Sequence, residues 1–212
     1  MDDRRSLFMV MDNNMILDAL NRYSVVLASK SPRRQELLKG MGVRFVCITK
    51  ETPESYPEMP FDQVPEYLSL QKSLAFSDEE LPERFLLITA DTVVIAGDEI
   101  LGKPKDRDDA MRMMAILSGK THHVVTGVTV RSKSKTKSFS VKTEVTFATL
   151  DPEEMAYYVD CYQPYDKAGA YGIQEWIGYI GISGINGSFY NVMGLPTRKL
   201  YQTLKNFGPA MV

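Results

Sequence analysis

Ser29, Ser31, Arg33 and Arg34 fall within the run Ser29-Lys30-Ser31-Pro32-Arg33-Arg34, directly after the apolar Val25-Val26-Leu27. Two hydroxyls, two guanidinium groups and the free N–H groups of a helix start would converge there, which is a recipe for holding phosphate oxygens. The same run also reads as a solvated helix start. Two arginines in a first turn oppose the helix dipole, and that unfavourable placement hints at an anionic ligand. Asp91 stands inside the most apolar stretch of the chain, Phe85 to Ala96. An unpaired carboxylate there would cost about several kcal/mol, so it needs a cation or strong donors, as a functional group or as the cap of a neighbouring turn. Lys72, among Leu70, Leu74 and Phe76, and Lys103, between Gly102 and Pro104, are further cations, each also compatible with an exposed position. Glu54, in a proline-rich loop, is uninformative alone. In Asp166-Lys167-Ala168-Gly169-Ala170-Tyr171-Gly172-Ile173-Gln174, two glycines and two alanines let backbone approach a ligand closely, or simply make a tight irregular connection.

Elements that must position these groups follow from pattern. Val25 to Leu27 reads as a buried strand. Ser31 as N-cap, Pro32 at the first helical position and Arg34, Leu37, Leu38 and Met41 at helical spacing predict a helix, closed near Gly40 and Gly42. Arg44 to Thr49 predicts a second strand. Residues 50–60 hold Pro53, Pro57 and Pro60 and form a long loop, a type often functional in compact domains. A helix over about Asp62 to Asp78 and a central strand from Phe85 to Ala96 come next, then a short return strand Glu99 to Leu101. Asp106 caps a helix striped by Ala110, Met113, Met114 and Leu117. Thr121 to Arg131 and Lys137 to Leu150 predict a hairpin. Asp151 starts a helix with Met155, Tyr158, Val159 and Tyr162 as its buried stripe. Strands around Tyr179 to Ile182 and near Ser188, and a helix through Leu200, Tyr201 and Leu204, close the chain. Upstream, Ile16, Leu17 and Leu20 offer a short apolar helix stripe after about ten residues expected to be disordered.

With 212 residues, 44% hydrophobic and 25% charged, the chain can bury a proper core as one domain. A net charge of -2 gives no global pull toward nucleic acid or an anionic membrane, so any anion site must be local. The basic tip Arg131, Lys133, Lys135 and Lys137 lacks interleaved aromatics and reads as a solubilising turn. His122 and His123 are adjacent and would face opposite sides of a strand, so they read as structural. No Walker loop or Rossmann fingerprint occurs. Cys47 and Cys161, in apolar or aromatic contexts, suggest buried or half-buried thiols in a reducing cytosol. No apolar run is long enough to span a membrane, and Leu7 to Met11 is too short for a signal-peptide core, so a soluble cytoplasmic protein is expected.

Taken together, Leu27-Ala28-Ser29-Lys30-Ser31-Pro32-Arg33-Arg34, Ala90-Asp91-Thr92-Val93-Val94, Gly102-Lys103-Pro104, Ser118-Gly119-Lys120-Thr121-His122 and Asp166 to Gln174 resemble the Maf family of nucleoside triphosphate pyrophosphatases, over about Val25 to Phe207. The resemblance implies an α/β fold like that of inosine triphosphate pyrophosphatases: a mixed elongated sheet flanked by helices, with two lobes around a cleft. It divides the chain into an N-terminal extension, 1–22, and a single domain, 23–208. It also implies hydrolysis of a nucleoside triphosphate to monophosphate and pyrophosphate. By the same resemblance, Ser29, Arg33, Arg34, Lys72 and Lys103 contact the triphosphate, with Lys103 counted among the catalytic groups. Glu54 and Asp91 handle water and a divalent metal, Mg²⁺ by its preference for oxygen ligands, and Gln174 lies on the base side. Asp166 to Gln174, with Gly187 to Pro196, resembles the branch acting on dTTP and UTP rather than on 7-methyl-GTP. Two departures stand out. Pro53 replaces an acid that often precedes Glu54, and Ser73 follows Lys72 where alanine is usual. The expected partner is a small nucleotide, with no nucleic acid or membrane, and a homodimer is left open. The alternatives are a 7-methyl-GTP pyrophosphatase, or a nucleotide-sensing regulator of septum formation acting through a protein, which would need no water-activating carboxylate.

Overall fold

The computed structural model describes residues 20–207. Most of the expected N-terminal extension, including Ile16 and Leu17, lies outside the described residues, while Leu20 is buried in the core. The strands are β1 (Ser24–Leu27), β2 (Val46–Cys47), β3 (Phe85–Ala96), β4 (Glu99–Leu101), β5 (Thr121–Arg131), β6 (Thr136–Phe147) and β7 (Ile182–Asn186). The helices are α1 (Pro32–Gly40), α2 (Val64–Leu74), α3 (Arg107–Leu117), α4 (Pro152–Tyr162), α5 (Trp176–Gly181), α6 (Phe189–Val192) and α7 (Thr197–Lys205). One mixed seven-stranded sheet runs in the order β2-β1-β3-β5-β6-β7, with β4 also paired to β3. β1 is parallel to β2 and β3, and the remaining pairings are antiparallel. No helix among the described residues is long and apolar enough to cross a membrane.

β3 holds the molecule together because its two faces feed different cores, as the period-2 alternation of a strand requires. Leu86, Ile88 and Ala90 pack with Leu27, Leu38, Leu195 and Leu200. Phe85 and Leu87 join Phe76, while Val93 and Ile95 join Val64 and Leu68 of α2. Val94 belongs to a further core built around α3 and α4. One edge of β3 is incomplete. β5 follows the other edge continuously from Leu87 to Ile95, whereas β1 departs after Ile88 and β4 joins only at Val94. The gap, residues 89–93, contains Asp91 and is the floor of a cleft of about 1040 Å³.

Gly127 is the register partner of Asp91 on β5. A Cβ there would overlap the backbone of Pro65 and Glu66, so the start of α2 lies directly on the sheet at this point. Hydrogen bonds from Thr89 Oγ1 to Ser69 O (2.7 Å) and between Ser69 and Thr129 hydroxyls (2.9 Å) fix the helix further along. A glycine inside a β run marks such close approach. Gly127→Ala should cost about 1–3 kcal/mol by overpacking. That is a drop of about 2–10 °C in Tm for a chain of this size, read in a thermal melt, and displacement of Lys72 should lower kcat with it. An unchanged Tm would mean that α2 is free to move away.

Several sequence expectations need correction. The run around Tyr179 is helix α5, with Gly178 seated against the Ile173 carbonyl, and the strand begins only at Ile182. Ser188 is not in a strand but caps α6, accepting from Asn191 N–H at 3.3 Å. The predicted strand from Arg44 to Thr49 shrinks to a two-residue edge strand, and the helix over 62–78 to Val64–Leu74. Cys47 and Cys161 are both exposed, one on that edge strand and one off the buried stripe of α4. Tyr162, at the open end of α4, stacks on Tyr158 yet remains 38% exposed. His122 is buried against Tyr171, with Nε2 and OH 2.8 Å apart, and burial and then neighbouring His123 lower its pKa to about 4, so it is neutral near pH 7.

Candidate active site

The turn after β1 places the first cluster. Ser29 is buried and its Oγ accepts the Ser31 N–H at 3.2 Å, while Ser31 itself makes no side-chain cap bond to α1. Arg34 fills the open edge of β3. Its Nη1 donates to Ala90 O (2.9 Å), Nη2 to Thr92 Oγ1 (2.9 Å) and Nε to Gly194 O (2.8 Å). A guanidinium here substitutes for a missing strand, satisfying a carbonyl that the sheet leaves unpaired. Burial lowers the Arg34 pKa, opposed by the charge of Asp91, and three protein acceptors still leave two of its five N–H donors for a ligand. Arg33 pairs with Asp166 across the cleft, Nη1 to Oδ2 at 2.9 Å.

The second cluster sits on the opposite face of β3. Asp91, 7% exposed, pairs closely with Lys72 from the last turn of α2. Lys72 Nζ also donates to Glu54 Oε1 at 3.1 Å, and Lys103 Nζ lies 3.9 Å from the same oxygen. Burial would raise the Glu54 pKa, but the charge and hydrogen bond of Lys72, then Lys103 and Arg34, outweigh it and hold the carboxyl below its usual range. Lys72 thus gathers one acid from the sheet and one from the proline-rich loop. Lys30 ties that loop to the turn after β1 through Glu51 at 3.2 Å.

The segment Asp166 to Gln174 forms the far wall. Gly169 N–H bonds to Gly102 O at 3.0 Å, beside Lys103, and its positive φ of 71° packs it on Val94 where a Cβ would collide. Gln174 lines the cleft, and its Oε1 is buried with no hydrogen-bond partner. All eight residues picked from the sequence, Ser29, Arg33, Arg34, Glu54, Lys72, Asp91, Lys103 and Gln174, therefore line one cleft. Sequence reasoning missed Thr92 and Ala90 as Arg34 acceptors, Asp166 as the partner of Arg33, and Lys167, which is buried at the cleft wall. The adjacency of Asp166 and Lys167 inside a Gly/Ala-rich run was the available signal. Basic side chains outnumber acidic ones along the wall, seven to four, which suits a polyanion.

A mixed α/β fold whose central strand opens onto a cationic cleft with two carboxylates at its floor defines a class of protein that handles phosphorylated ligands. The pattern described as "Maf-like protein" matches residues 24–207, and the chain belongs to that family. It is 53% identical over 196 residues to a protein named dTTP/UTP pyrophosphatase from Porphyromonas gingivalis, covering 91% of this chain and 98% of that one. Proteins of the same name from Bacteroides fragilis and Flavobacterium psychrophilum are 50% identical over 192 residues and 46% over 193. Those matches cover 90% and 91% of this chain and 99% and 98% of theirs. A solved nucleoside-triphosphatase / dITP/XTP pyrophosphatase from Mycobacterium abscessus overlaps 89% of this chain and 100% of its own at 10% identity and a TM-score of 0.39, a likeness from which nothing is carried over.

Proposed function

We propose that this chain hydrolyses dTTP and UTP to the nucleoside monophosphate and pyrophosphate. The observation that carries the chemistry is the meeting of Asp91, Lys72 and Glu54 at the open edge of β3. The relatives named dTTP/UTP pyrophosphatase, matched over nearly the whole chain, support the substrate. Ser29, Arg33 and Arg34, with Lys72 and Lys103, hold the triphosphate and neutralise its charge. Asp91, set in the central strand at the floor of the cleft, orients water toward the α-phosphorus and takes its proton, and the bridging oxygen leaves on pyrophosphate as the lysines and arginines stabilise its developing charge. Lys72 holds both carboxylates in place, and its charge, with those of Lys103 and Arg34, keeps the Glu54 carboxyl ionised before substrate arrives.

A divalent metal fits this site. Among the described residues no group of three or more His, Cys, Asp and Glu side chains is placed to hold an ion. Two carboxylates converging on one cation are a donor set that suits Mg²⁺ when phosphate oxygens complete it. Glu54 and Asp91 would hold the ion, which when bound supplies positive charge to the phosphates and acidity to water.

On the base side, the Gln174 amide, whose Oε1 is buried and unpartnered, would on turning toward a bound base accept from the imide N–H of thymine or uracil and donate from its N–H₂ to a ring carbonyl. Cytosine lacks that imide hydrogen and sets an amine against the amide donor, a mismatch costing about 1–3 kcal/mol. The 5-methyl group that distinguishes thymine from uracil is worth only about 1 kcal/mol, and Gln174, on the base side, makes no contact with the 2′-hydroxyl that UTP has and dTTP lacks. The test is kcat/KM across the common nucleoside triphosphates and 7-methyl-GTP, with pyrophosphate release as readout. dTTP and UTP should lie within about tenfold of each other with CTP weaker by about tenfold or more, and Gln174→Ala should narrow that gap. A preference for any purine would reject the substrate while leaving the bond cleaved unchanged.

A further inference from the structure

A chain of polar contacts, buried at Tyr158 and Lys167 and exposed at Asp166, runs from the base end of the cleft to its phosphate end, and the hydrolysis described above makes no use of it. Gly172 N–H donates to the hydroxyl of fully buried Tyr158 at 2.9 Å, and that hydroxyl donates in turn to Glu175 Oε2. Glu175 Oε1 lies 3.1 Å from Lys167 Nζ, Lys167 Nζ lies 2.7 Å from Asp166 Oδ1, and Asp166 Oδ2 accepts from Arg33 at 2.9 Å. Gly172 is wedged between the groups at one end. A Cβ on it would stand 2.8 Å from Glu175 Cδ and 3.0 Å from Gln174 Nε2, so the Gln174 amide and the Glu175 carboxylate both lie against the bare Gly172 backbone.

The links at Tyr158 and Lys167 are buried and costly to leave unmade. Lys167 is 8% exposed, and a buried ammonium needs both of its carboxylates to offset desolvation. Burial would raise the Asp166 pKa, yet hydrogen bonds from Lys167 and Arg33 hold it below its usual value, so Asp166 presents a full charge to Arg33. Tyr158 has its pKa raised by burial and then by its bond to Glu175, so it remains a donor. The charges at the phosphate end thus depend on a carboxylate whose position the base-end segment sets.

We propose that Tyr158, Glu175, Lys167 and Asp166 are positioning residues that couple the setting of the Gln174 segment to that of Arg33, so that the base seated and the grip on the phosphates are linked. The proposal rests on reading Gln174 and Arg33 as base-side and phosphate contacts. Coupling of this kind is measured by non-additivity. The probe for the phosphate end is inorganic tripolyphosphate, which has no base, as a competitive inhibitor. Glu175→Gln keeps an acceptor for Tyr158 but removes the charge that Lys167 pairs with, and should weaken tripolyphosphate inhibition by about fivefold, on the scale of a modest coupling energy. Glu175→Gln added to Arg33→Ala should weaken it no further, and in the wild-type background Glu175→Gln should shrink the dTTP-over-CTP preference by about fivefold.

Tyr158→Phe keeps the ring in its packing and removes only the hydroxyl. If Glu175→Gln folds poorly, this variant carries the same two expectations. A purely structural role would lower Tm and kcat for every nucleotide while leaving the dTTP-to-CTP ratio and tripolyphosphate inhibition unchanged, and that result overturns the proposal. So do additive effects of Glu175→Gln and Arg33→Ala. A wild-type enzyme without pyrimidine preference would instead overturn the substrate reading, while the tripolyphosphate cycle would still decide the coupling.

Discussion

Replacing Asp91 by asparagine should lower kcat for dTTP by about 10³-fold, within the range that a positioned general base contributes. The residue is buried, lies on a rigid central strand, and is held against Lys72, so asparagine can occupy the same space with little movement. Its removal deletes the only carboxylate that the floor of the cleft takes from the sheet. Folding should survive. Leaving a buried ammonium unpaired is severely destabilising, but Lys72 keeps Glu54 at 3.1 Å, so the loss should stay near 1–3 kcal/mol. Affinity for a non-hydrolysable α,β-imido analogue of dTTP, titrated without divalent metal, should be unchanged or up to about threefold tighter, because a negative charge leaves a site that receives an anion. Rapid-quench turnover and equilibrium titration of the analogue separate these effects. A kcat within tenfold of wild type would remove Asp91 from the chemistry, and a large loss of affinity would make it a binding group.

Arg34→Ala should strike activity and stability together. Removing one preorganised charge-stabilising donor costs about 10²-fold or more in kcat. The same guanidinium closes the gap in β3, and its loss strands Ala90 O and Gly194 O and takes one of the two hydroxyl partners of Thr92, at about 1–3 kcal/mol for each buried group left unsatisfied. A fall in Tm of several degrees should therefore accompany the kinetic loss. Arg34→Lys should restore little of either, since an ammonium cannot span three acceptors held in a planar fork. Measured at a temperature where the variant is fully folded, a kcat/KM near wild type would confine Arg34 to completing the sheet.

The elements that bear the site were readable because their signals are local. The apolar run of β3 with one carboxylate, the strand-turn-helix with Pro32 at its start, and the stripe of Ala110, Met113, Met114 and Leu117 in α3 each follow from propensity and period. Residue type singled out the Ser29 to Arg34 run and Asp91, whereas Glu54, Lys72, Lys103 and Gln174 joined the site only through the resemblance to the Maf family, and the fold gathers all of them on one cleft. Short segments rich in Gly and aromatics were ambiguous. Trp176 to Gly181 carries too few residues to show a period, and it is a helix whose Gly178 leaves room for the Ile173 carbonyl. What no local pattern contains is pairing over distance. That Arg34 takes the place of a strand depends on β1 and β4 leaving residues 89–93 uncovered, which is a property of sheet register. That Lys72 serves two acids depends on Gly127 admitting the backbone of α2, and that Arg33 is held by Asp166 depends on a sequence separation of 133 being folded back. Residue type fixes which charges are available, and the net balance of partners in a low-dielectric cleft, set by tertiary contact alone, decides which of them are spent on structure and which remain for substrate.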